Sequence, residues 1–214
     1  MSKTLAAAEE ALAAGAAELA VARGDGSRPH LAACDSRSVS VGLGLQALFA
    51  ARLAARGAGV GEIVERVGSM RERIHVLFVV DTLEYLARGG RIGRARALVG
   101  GLLGIKPILG VVDGEVAAVE RVRGGRRAHP RMLELFEQRV DRARPVIAAV
   151  AHANAPMWAD RLRALLESAL DVRELLVAEI GPVVGTHAGP GTVGAALFQP
   201  ADEAELARLA PLAS

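Results

Sequence analysis

The sequence predicts an α/β protein. Residues 1–72 read as a truncated parallel α/β layer. Residues 73–214 read as an α+β domain with a six-stranded mixed sheet and helices on one face. Three observations carry this. Residues 75–80 form a nearly unbroken apolar run of strand length. Asp113 and Gly114 separate two further apolar runs, a hairpin signal. Between such runs lie segments with apolar residues three and four apart, as in Trp158, Leu162, Leu165, Leu166 and Ala169.

In order, residues 4–22 predict an Ala-rich helix with Leu5, Ala8, Leu12 and Leu19 on one face. Residues 31–34 predict a short strand. Ser40 predicts the N-cap of a helix running through Leu53, and residues 62–71 predict another helix. One strand cannot make a sheet, so this first section reads as incomplete. From His75 the pattern changes to strand 75–80, a short helix through Leu83 and Leu86 capped by Asp81 and Thr82, and a helix over 94–103. Strands 106–112 and 115–122 follow, then helix 126–140, with Pro130 tolerated only in its first turn. Strand 146–150, the Trp158 helix, strand 173–180, a glycine-rich stretch over 181–194, strand 195–198 and a terminal helix complete the chain.

Composition excludes several classes. The formal net charge is +2 and aromatics are 3%, which argues against a nucleic-acid binder built on basic patches and stacking platforms. A single cysteine, Cys34, allows no internal disulfide and points to a reducing, cytoplasmic setting. It reads as a small buried residue at a strand end. Glu9 and Glu10 interrupt any leader-like apolar run, and no long apolar stretch predicts stable membrane insertion.

Three segments are candidates for function. In the first, Gly89, Gly90 and Gly93 surround Arg91, and Arg88 and Arg94 add positive charge; such a turn suits an anion, or is only a solvated connection. In the second, Thr186 and His187 sit among Gly185, Gly189 and Gly191, so a hydroxyl and an imidazole are offered where backbone comes close to a ligand. No second His or Cys stands at metal-ligand spacing. The third is the basic stretch 121–127. Arg126 and Arg127 at a helix start oppose the helix dipole; the stretch is either a solvated helix start or a docking surface for an acidic partner or a phosphate. No nucleophile elbow or carboxylate pair stands out, so no catalytic residue is assigned.

Taken in order, these residues resemble the DegV family. The carrying segments are Asp35-Ser36 with Ser40-Val-Gly-Leu-Gly44, Asp81-Thr-Leu-Glu-Tyr-Leu86, Arg88-Gly-Gly-Arg-Ile-Gly93, Ile105-Lys-Pro-Ile-Leu109, Asp113-Gly-Glu115 and Gly185-Thr-His-Ala-Gly-Pro-Gly191. The resemblance implies two domains holding one long-chain fatty acid between them. It also implies that the protein is no enzyme, but presents the carboxylate to a separate fatty acid kinase that makes the acyl phosphate. The bound fatty acid would be the ligand, with no cofactor. By motif, Thr186 and His187 would lie near the carboxylate, Arg91 beside them, and Arg123 on a kinase-facing surface. Family members begin with an additional segment whose Thr-Ser and Ser-Gly-Leu-Ser-Gly-Thr hydroxyls share the carboxylate, and this chain begins after it. Where the family has a Thr followed by basic residues, this chain has Arg123, Gly124, Gly125 and Arg126. Exposed edges in a shortened first domain would invite a homodimer. The competing readings are an enzyme acting on an anionic, phosphorylated substrate and an interaction module that binds no ligand.

Overall fold

The central strands of the sheet are apolar on both faces. In this computed structural model, which describes residues 4–23, 30–98 and 104–212, the strands are β1 (Ile74–Val79), β2 (Ile105–Val112), β3 (Glu115–Arg123), β4 (Val146–His152), β5 (Val172–Glu179) and β6 (Val193–Phe198). They form one six-stranded sheet in the order β3-β2-β1-β6-β4-β5. β1 runs antiparallel to β2 and β6, and β6 antiparallel to β4; β4 and β5 are parallel. The parallel pair needs a crossover, which α6 (Pro156–Ala169) supplies. β2 and β3 are joined by Asp113 and Gly114, with φ of 51° and 76°, the left-handed pair that a two-residue hairpin favours.

Side chains alternate across each strand, so one strand feeds two cores. Leu77, Val79, Val146, Ala148, Val150, Ala195 and Leu197 face one side, where they meet Met132 and Phe136 of α5 (Ala128–Glu137) and Leu162 and Leu166 of α6. Ile147, Ala149, Ala196 and Phe198 face the other. There they meet Leu45, Phe49 and Leu53 of α2 (Val41–Ala55), Met70 of α3 (Val60–Met70) and Leu209 of α8 (Glu203–Leu209). The helices α5 and α6 cover one face as the sequence predicts. The first section and α8 cover the other.

Several local expectations change. Residues 30–39 contain no strand; Cys34 is exposed. A four-residue apolar run without a neighbouring edge to pair with does not hold a strand. Ser40 does not cap α2 with its side chain; it adopts φ 54° and ψ −132° with no side-chain cap bond. The helix predicted over 94–103 is a 3-10 turn over Gly93–Leu98, and residues 99–103 lie outside the described residues. The glycine-rich stretch holds a short helix, α7 (Pro182–Ala188). The predicted N-terminal helix is present as α1 (Thr4–Arg23), with Leu5, Ala8 and Leu12 half-buried on one stripe; the side chain of Leu19 lies outside the description. Among the described residues no helix is long and apolar enough to cross a membrane.

One ion pair anchors the first section to the sheet. Arg52 on α2 donates from both terminal nitrogens to Glu174 of β5, at 2.7 Å each, and to the carbonyl of Leu209 at 2.6 Å. Its side chain is 10% exposed and that of Glu174 16%. Removing one partner strands the other charge in a mostly dry place. Glu174→Ala is therefore expected to destabilise the protein by roughly 3 kcal/mol, read from urea unfolding. A loss within error of zero would mean that α2 is held by its apolar face alone.

A second buried polar group makes stability depend on pH. His129 on α5 is 4% exposed, neither ring nitrogen has a partner, and the ring packs 5.1 Å from that of Trp158 on α6. Burial, reinforced by the positive charge of Arg161, pushes its imidazole down from 6.5 to about 4. Between those values the unfolded chain binds a proton that the folded one refuses. Stability is thus complete above pH 6.5 and is lost as pH falls toward 4. The loss from pH 8 to pH 5 is expected to be about 2 kcal/mol. His129→Leu should remove that part of the pH dependence in urea titrations at the two pH values. Parallel curves for the two proteins would reject this account.

Candidate functional site

The two glycine-rich segments singled out in the sequence dock against each other. The first runs from the end of β1 through α4 (Glu84–Arg88). The second carries α7 into β6. Glycines set their spacing. A Cβ on Gly89 would lie 2.0 Å from Nδ1 of His187. One on Gly189 would lie 2.3 Å from the ring of Tyr85, and one on Gly191 2.0 Å from Oδ2 of Asp81. Gly191 also has φ 78°, where other residues are strained. Its backbone N–H donates to the carbonyl of Ala153, and the hydroxyl of Thr192 donates to that of Ala188.

This docking brings His187 and Arg91 to one cavity of about 950 Å³. Its walls are mostly apolar. Val76, Phe78 and Val111 come from the sheet, Leu43 from α2, Val184 from α7 and Leu5 from α1. The cavity adjoins the α2 side of the sheet, where Val76 packs with the second core. Its size falls within the range of small-molecule sites.

Charge around the turn is distributed so that one arginine is left over. Arg88 pairs with Glu84 at 2.6 Å. Arg94 lies 3.9 Å from Asp113 and 3.8 Å from Glu115, and donates to the carbonyl of Val112. Asp81 holds Lys106 at 2.7 Å, while Thr82 accepts from the N–H of Glu84. Arg91 has no ion-pair partner among the described residues and donates only to the carbonyl of Gly89, at 2.9 Å. An exposed arginine without a carboxylate at a cavity wall suits an anionic head group.

The other predicted residues stand apart from the cavity lining. Thr186 is exposed on α7, and its hydroxyl donates to the carbonyl of Val183 at 3.0 Å. Arg123 ends β3, exposed, opposite Ile105, and the basic stretch continues exposed through Arg127.

A further wall, to which the sequence assigned no ligand-binding residue, is the loop 35–40. Asp35, Ser36, Arg37, Ser38 and Ser40 all line the cavity. Arg37 and Ser40 have positive φ, of 45° and 54°. The loop is held in that shape by Gln46, which donates to the carbonyls of Ser36 and Gly42, and by Arg71, which donates to that of Asp35 at 2.7 Å. The hydroxyl of Ser38 is buried without a partner. Alternate serines at 36, 38 and 40 were the available signal; Ser40 had a simpler explanation as a helix cap. Among the described residues, no group of three His, Cys, Asp or Glu side chains could hold a metal ion.

Comparison with known proteins agrees with this architecture. The family model described as "Uncharacterised protein, DegV family" matches residues 2–199. A DegV domain-containing protein of Deinococcus radiodurans is 42% identical over 166 residues, 76% of this chain and 58% of its own. A solved DegV family protein from Thermus thermophilus, described by its fatty acid binding, is 34% identical with a TM-score of 0.76, over 86% of this chain and 65% of that one. DegV of Bacillus subtilis, described as a fatty acid binding protein, is 29% identical with a TM-score of 0.75, over 93% of this chain and 67% of that one. The chain spans 51–62% of the length of the curated relatives it matches. By family model, by sequence and by fold, this chain belongs to the DegV family.

Proposed function

We propose that the protein is a fatty-acid-binding carrier without chemistry of its own. The acyl chain lies in the apolar cavity and its carboxylate faces His187 and Arg91. Residues 1–72 and 73–214 serve as the two walls. The observation that carries this reading is an apolar cavity of about 950 Å³ with an unpaired arginine and an imidazole on its lining. Fatty acid binding by solved relatives supports it. Each buried methylene contributes about 0.8 kcal/mol, so the chain supplies most of the affinity. A charge-assisted hydrogen bond of roughly 1.5–3 kcal/mol selects which end faces the polar wall. Thr186 joins the site only if its hydroxyl leaves the Val183 carbonyl.

The finer parts of the proposal concern partners. A separate fatty acid kinase would receive the presented carboxylate, with Arg123 and its exposed basic neighbours meeting an acidic surface. A homodimer would use the β5 edge, where Leu176 and Val177 are exposed.

Native mass spectrometry of the purified protein is expected to show one long-chain fatty acid per chain. A lipid-free preparation that also takes up neither oleate nor palmitate would sink the carrier reading. His187→Ala and Arg91→Ala should each weaken oleate binding by about tenfold or more. Thr186→Val should change it little.

A further inference from the structure

The two adjacent glycines at the end of α4 serve different ends. Gly90 has φ 66°, with nothing within 4 Å of where its Cβ would stand. Its N–H donates to the carbonyl of Ala87, and that of Arg91 to Leu86, so Gly90 is the left-handed residue that closes the helix. Gly89 is the reverse case. Its φ of −74° and ψ of −6° are ordinary helical values that any residue adopts. Glycine is required there because of what lies against it. A Cβ would stand 2.0 Å from Nδ1, 2.9 Å from Cε1 and 3.1 Å from Cγ of His187.

The imidazole is also held in one sense. Nδ1 is buried without a hydrogen-bond partner, and Nε2 is not. No hydrogen bond of the His187 ring to the protein occurs among the described residues, so Nε2 is the accessible nitrogen on a residue that lines the cavity. We propose that Gly89 is a positioning residue of the ligand site: its missing side chain is the seat for the His187 ring and aims Nε2 into the cavity. This rests on the proposed carrier function for its consequence, but not for its geometry. It also gives the glycine-arginine turn a second task besides carrying Arg91. The ring is the mobile partner in the clash, because it ends a side chain while Gly89 is fixed by its N–H bond to Tyr85. A methyl group at 89 therefore displaces the imidazole rather than the helix.

The test is a double-mutant cycle with oleate as the probe, using Gly89→Ala, His187→Ala and the two together. Gly89→Ala is expected to weaken binding about as much as His187→Ala, by roughly tenfold or more. In the background that already lacks the imidazole, it should change affinity less than about twofold. Losses that multiply, or unchanged affinity in Gly89→Ala, would overturn the proposal. A second readout needs no fatty acid. In the unliganded protein the His187 ring proton resonances, assigned by their loss in His187→Ala, should move in Gly89→Ala. Unchanged resonances would equally reject the seat, whereas wild-type protein that binds no oleate rejects only the carrier reading. Should Gly89→Ala fail to fold, adding His187→Ala should restore folding by removing the clash. A double variant that stays unfolded would count against the proposal.

Discussion

The constraint on which the site depends is backbone approach between two segments far apart in sequence. The stretch after β1 and the stretch before β6 meet where Gly89, Gly189 and Gly191 lack side chains. β1 and β6 are antiparallel hydrogen-bonded neighbours, so sheet register already brings the two segments to the same end of the sheet. The glycines then decide how closely they settle. A side chain at any of the three positions would meet a ring or a carboxylate within 2.3 Å. Cores tolerate such overlap only by displacement, and here the groups displaced would be Asp81, Tyr85 and His187.

That approach has electrostatic consequences. The turn carries three arginines, yet two are engaged by carboxylates in their own neighbourhood. Exposed pairs of this kind contribute little to stability. Their more useful effect is to leave Arg91, of these three, without a carboxylate partner among the described residues, beside a largely apolar space. An amphiphile answers both features. A small polar anion would leave the apolar walls wet, and an uncharged hydrocarbon would leave Arg91 and His187 with nothing to bind.

Much of the fold was legible in the sequence, and the reasons are specific. The hairpin at Asp113 and Gly114 is local, and both residues adopt the predicted left-handed backbone. The runs 75–80 and 146–150 are apolar on both faces because helices cover both faces; the unbroken runs marked the strands, while the second helical layer was not predicted. The errors came where tertiary contacts override local preference. Ser40 has the composition of a cap, but the loop it ends is bent by Gln46 and Arg71 into another conformation. Residues 182–188 looked like a loop because glycines interrupt and flank them; Gly189, just past α7, serves close packing against Tyr85 of α4. His187 and Arg91 were legible through motif order. Spacing in the chain could not have joined them, since their proximity to one cavity is a product of the sheet.

Among the described residues, His129 on one hand and Ser38 and His187 on the other carry unpartnered buried polar atoms that differ in what relieves them. His129 lies in the core between α5 and α6, where nothing outside the protein reaches it, and folding holds it neutral. Ser38 Oγ and His187 Nδ1 belong to residues lining the cavity. An unsatisfied buried group costs about 1–3 kcal/mol. For Nδ1 the orientation enforced by Gly89 makes that cost useful: sacrificing one nitrogen to an apolar seat leaves the other accessible. The strained loop 35–40 follows the same logic. Its positive-φ residues oppose folding locally, while hydrogen bonds from Gln46 and Arg71 hold the loop as a cavity wall before any ligand arrives. A wall that is already shaped need not be ordered at binding, so less of the ligand's burial energy is spent on the protein.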